Sequence, residues 1–76
     1  MNQHVSSLAV PQWWLHNEGH VLAGAIVVRD KLNIEAQILL DGTLLYGSRH
    51  PTRAVAEQEL AVLRGQCARE GWVEAV

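Results

Sequence analysis

The chain has 76 residues, 49% of them hydrophobic and 18% charged, with a net charge of −2. That length suits one domain with one thin core, burying roughly 60% of its unfolded surface. The acidic balance argues against a dedicated nucleic-acid binder, the single cysteine excludes an internal disulfide, and no apolar run reaches the length of a membrane span.

A small domain has proportionally more surface and should be more polar than average. This one is more apolar, which points to a surface hidden by a partner, most simply a second copy of the chain. The start, Met1-Asn2-Gln3-His4, lacks a basic region followed by an apolar one. The reading is a single cytoplasmic domain spanning residues 1–76, with no membrane association.

Residues 1–12, broken by Pro11, read as an irregular lead-in. Trp13-Trp14-Leu15-His16 suits a strand, with the two indoles on opposite faces. Asn17-Glu18-Gly19 is a turn signal. His20 to Arg29 is rich in Val and Ile without polar alternation, as expected of a central strand covered on both faces.

A break at Asp30-Lys31 leads to the clearest signal in the chain. Asn33 to Leu40 and Thr43 to His50 are two β-prone runs joined by Asp41-Gly42. Asp-Gly fits a two-residue type I′ turn, which needs positive φ at both central positions. Tight hairpins at both breaks set Val21 opposite Leu40, Ala23 opposite Ile38, Ala25 opposite Ala36 and Val27 opposite Ile34. Ile38 then faces Leu45, and Ala36 faces Gly47. This register puts Val21, Ala23, Ala25, Val27, Ile34, Ala36, Ile38, Leu40, Leu45 and Gly47 on one face. The other face gathers Leu22, Leu39, Leu44 and Tyr46 near the Asp41-Gly42 turn.

Thr52 is a plausible N-cap, or else His50 caps with Pro51 at the first helical position; a helix is expected from about Arg53 to Glu70, stopping at Gly71. Ala56, Leu60, Leu63 and Cys67 form its apolar stripe; Val55 and Val62 make a smaller patch about 100° away. Trp72 is expected to fold back under the core. The fold class is therefore α+β: an antiparallel β-meander of three to four strands followed by one long C-terminal α-helix packed on one face of the sheet.

One helix about 10 Å wide covers roughly two strands spaced about 4.8 Å apart, so the other face and the edges stay open. The expected function is a non-enzymatic interaction module, homodimeric or bound to another protein through that face or an edge. Leu22, Leu39, Leu44 and Tyr46, with Trp13 or Trp14, are the expected contacts. The alternative is anion or nucleic-acid binding by Ser48, Arg49, His50, Thr52 and Arg53 at the strand-to-helix junction. His16, Glu18 and His20 have ligand-like spacing only if extended, and a turn there removes it; no metal or other cofactor is expected. Cys67, on the core stripe, reads as a buried thiol without a base to activate it.

Overall fold

The computed structural model describes residues 9–30 and 33–74. Strands β1 (Ala9–Asn17), β2 (His20–Asp30), β3 (Asn33–Leu40) and β4 (Thr43–His50) form an antiparallel meander. Helix α1 (Arg53–Arg69) follows, then a two-residue strand β5 (Val73–Glu74). The sheet order is β4-β3-β2-β1-β5. Among the described residues no helix is long and apolar enough to cross a membrane.

Both tight turns follow from local chemistry. Glu18 and Gly19 have φ of 51° and 85°, and Asp41 and Gly42 have φ of 51° and 86°. Positive φ at both central positions matches the right-handed strand twist, so each turn closes its hairpin without splaying it. The Asp41 turn is also tied across to β2, where the Val21 amide donates to Asp41 Oδ1 at 2.8 Å and the Asp41 amide donates to the Val21 carbonyl.

Helix α1 begins where Thr52 accepts from the Val55 amide through its hydroxyl, at 3.2 Å. This satisfies one of the donors left open in a first helical turn. Its last residue is Arg69, Glu70 is the C-cap, and Gly71, with a φ of 103°, reverses the chain. The Trp72 amide then bonds the Cys67 carbonyl, and the Trp72 ring packs against the core.

Three irregularities change which residues share a face. Asp30 pairs with Asn33 and Val28 with Ile34, so Arg29 is bulged out of β2. Leu22 consequently faces Leu40, Gly24 faces Ile38 and Ile26 faces Ala36, one residue away from the register expected of a regular hairpin. In β4 the pairs run Leu39–Leu44 and then Ile38–Tyr46, which bulges out Leu45. In β1 a third irregularity lies between Pro11 and Trp13. A one-residue slip exchanges the faces of a strand.

The helix therefore covers Leu22, Gly24 and Ile26 rather than Ala23, Ala25 and Val27. Trp13, Leu15, Leu22, Ile26, Ile34, Ala36 and Ile38 form the core with Ala56 and Leu60 of α1. The β3 half of the expected face is as read; the β2 and β4 halves are reversed. The lead-in is also shorter than expected, because Ala9 to Gln12 already belong to β1. Pro11 is tolerated there because β5 reaches β1 only at Leu15 and His16, leaving the Pro11 side of the strand unpaired by β5. Residues 1–8 of the expected lead-in, and Lys31 of the expected break, lie outside the described residues.

Candidate functional site

The register divides the expected partner residues between two faces. Trp13 and Leu22 are buried beneath α1. Tyr46 lies on the helix side, where its hydroxyl donates to Glu59 of α1 at 2.5 Å. These three cannot belong to an uncovered face. Trp14, Leu39 and Leu44 lie on the side opposite the helix, with Trp14 paired to Ala23 and Leu39 paired to both Ala23 and Leu44.

That side, on which Ala23, Ala25, Val27 and Gln37 are buried while Trp14 and Leu44 are half-exposed, has two halves. Near the Asp41-Gly42 turn it is apolar: a groove of about 210 Å³ is lined by residues including Trp14, Val21, Ala23, Ala25 and Leu39. Trp14 is 49% exposed at its rim, although Trp13, the next residue, is 8% exposed. Toward the other end the face is polar. Arg29 donates to Glu35 at 2.9 Å, the Gln37 amide reaches the same carboxylate oxygen, and Arg49 pairs in register with Glu35.

On the helix side, Tyr46, Ser48 and His50 alternate along β4 and so share one face, and all three converge on Glu59. The Ser48 hydroxyl donates to Glu59 Oε1 at 2.6 Å, and His50 Nε2 meets the same oxygen. Hydrogen bonds from Ser48 and then Tyr46 hold the Glu59 carboxyl below its ordinary pKa; burial opposes them, and His50 adds a smaller lowering effect. Hydrogen bonds to the charged form of a carboxylate favour that form. A nucleophile–histidine–acid relay needs the two ring nitrogens on different partners. Here Ser48 Oγ and Glu59 Oε1 both meet Nε2, so the cluster fastens β4 to α1.

The five residues of the expected anion site are thereby dispersed. Ser48 and His50 bind Glu59, Thr52 caps α1, and Arg53 donates to Glu57 at 2.9 Å. Arg49 lies on the opposite face from Ser48 and His50. Arg49 and His50 do share a concavity with Asp30, Asn33 and Pro51, but Ser48, Thr52 and Arg53 do not line it.

His16, Glu18 and His20 are likewise not on one extended segment, because Glu18 occupies the β1–β2 turn. His20 Nδ1 instead lies 2.7 Å from Asp41 Oδ2. The His20 contact, then the Val21 amide, holds the Asp41 carboxyl below its ordinary value. No cluster of three or more metal-ligating side chains occurs among the described residues. Cys67 is part-buried against the core, and burial pushes its thiol pKa up, with the Glu70 charge adding to the effect. A raised pKa lowers the thiolate fraction and with it the nucleophilicity.

The role of Glu59 was hidden in the sequence, where it reads as a helix-surface charge. The signal available was the Tyr46-x-Ser48-x-His50 alternation, three hydrogen-bonding side chains on one strand face that can share a common acceptor. Comparison with protein-family models, curated proteins and solved structures finds no match for this chain.

Proposed function

We propose that the chain is a non-enzymatic interaction module that holds a protein partner on the side of the sheet away from α1. The observation that carries this reading is Trp14. A half-exposed indole stands at the rim of an apolar groove on the face of the sheet opposite α1, which no other helix among the described residues covers. Tryptophan is the side chain most often responsible for interface energy, because it combines large apolar area with one polar handle and few rotatable bonds. The groove is lined by apolar residues, and the Arg29–Glu35 pair lies further along the same face, so that an apolar patch is followed by a polar one. The shared use of one His50 nitrogen by Ser48 and Glu59 supports the non-enzymatic part of the reading.

The test is site-directed photo-cross-linking in the cells that express the protein, from a probe residue at position 14. The reading expects a discrete adduct with one protein, abolished by Leu39→Lys at the other wall of the groove. Diffuse labelling, or an adduct indifferent to Leu39→Lys, would refute it.

A further inference from the structure

We propose that β4 is the seam of a homodimer, in which a second copy of this chain pairs antiparallel with its outer edge and sets its helix beside α1. This concerns a surface different from the Trp14 groove and stands independently of it.

The two edges of the sheet are treated differently. One ends in β5, which has two residues and carries Glu74 ion-paired to Arg64. Short, charged edges resist pairing with another chain. The other edge is β4, with eight residues and a strand neighbour on one side only among the described residues. From Thr43 to Ser48 it contains no charged residue and no proline. Leu44, Leu45 and Tyr46 are 51%, 60% and 43% exposed.

The helix repeats this asymmetry. Val55, Glu59, Val62 and Gln66 follow i, i+4, i+7, i+11 spacing and form one stripe. Glu59 binds three side chains of β4, so the stripe overlooks β4. Val55 and Val62 are 42% and 56% exposed, Glu59 is turned onto β4, and the stripe meets other charges only at the end of the helix, at Arg69 and Glu70. The charged side chains Arg53, Glu57 and Arg64 lie on the opposite flank, where Arg64 reaches β5. Strand edge and helix flank thus leave mainly apolar surface on the same side of the molecule.

An occupant of this side must present a strand edge that is uncharged up to Ser48 and accommodates Arg49 beyond it, next to a helix flank whose exposed residues are mainly apolar. The chain itself presents that combination. A two-fold axis perpendicular to the sheet satisfies both requirements at once, because isologous contacts repeat the same patch. The Leu45 bulge leaves Tyr46 to His50 as the regular part of β4, centred on Ser48. Pairing about Ser48 sets Arg49 opposite Gly47 of the partner subunit, and the Glu35 carboxylate of each copy lies over its own Gly47. The seam then meets positive with negative and avoids like charges. Both open faces point the same way in such a dimer and present two Trp14 grooves on one continuous sheet.

The experiment is molar mass by light scattering across a concentration series, with hydrogen exchange of β4 amides at both ends of the series. The variants are Leu45→Lys with Val62→Glu, both at exposed positions, and Trp14→Ala as the control for the groove. The proposal expects a wild-type mass of twice 8.4 kDa. It expects slower exchange within Tyr46 to His50 at high concentration. It also expects a folded monomer for the double variant and an unchanged dimer for Trp14→Ala. A wild-type monomer throughout the series would overturn it. So would a dimer that survives the double variant but dissociates on Trp14→Ala, which would move the second copy to the groove.

Discussion

The Trp13 indole lies across Gly24. A Cβ on Gly24 would sit 2.8 Å from Trp13 Nε1 and closer still to the ring carbons. The ring cannot easily withdraw, since it is buried and its Nε1 donates to the Leu60 carbonyl of α1 at 3.2 Å. Gly24→Ala is therefore expected to overpack the core and to cost about 1–3 kcal/mol. Urea unfolding followed by tryptophan fluorescence measures it. Gly65 provides the contrast: it lies inside α1, where an added methyl group would meet only an Arg69 nitrogen, 4.0 Å away. Gly65→Ala is expected to stabilise by about 0.5–1 kcal/mol, because glycine loses more backbone entropy in a helix.

The adjacent tryptophans separate stability from binding. Trp13→Ala removes a buried ring from the core and is expected to cost about 3–5 kcal/mol. Trp14→Ala removes a half-exposed ring and is expected to cost about 1–2 kcal/mol, clearly less than Trp13→Ala. Paired denaturation curves decide this; equal costs would place Trp14 in the core.

The start of α1 rests on one side chain. Thr52→Ala removes the acceptor for the Val55 amide and is expected to cost about 1 kcal/mol, with Thr52→Ser retaining most of the stability. Thermal unfolding followed by circular dichroism at helix wavelengths reads both.

Acid should loosen the contact between β4 and α1. The folded-state pKa of Glu59 lies below the ordinary value of 4.5. A depressed carboxylate contributes stability that is fully present above the unfolded pKa and disappears as pH falls through the folded one. The loss begins as pH drops through about 4.5 and is complete below the depressed value. Asp41 follows the same sign from its ordinary value of 3.8. Glu59→Gln is expected to be less stable than wild type at neutral pH, with a shallower loss in acid. Urea midpoints from neutral pH to pH 3 would show it; parallel curves would assign the acid sensitivity elsewhere.

Much of the fold was legible because local chemistry dictates it. Asp41-Gly42 accepts positive φ, Thr52 caps, Gly71 stops the helix, and the Ala56, Leu60, Leu63 and Cys67 spacing selects the buried stripe. The faces were less legible. Val21 to Val28 is apolar at almost every position, so both registers bury similar side chains, and periodicity cannot choose between them. The bulges at Arg29 and Leu45 make the choice, and neither has a glycine or proline to announce it.

The sequence by itself determined the order of the first four strands and the helix, the Asp41-Gly42 turn type and the stop at Gly71, because each depends on residues a few positions apart; the fifth strand, Val73–Glu74, forms only by pairing with the remote β1. Tertiary structure alone decided which side of the sheet the helix covers. It sent Trp13 inward and left Trp14 exposed, and it gathered Tyr46, Ser48 and His50 onto Glu59. The reason is parity: in a strand one extra residue exchanges inside for outside, and whether it is accommodated depends on how well the remote helix packs against the result.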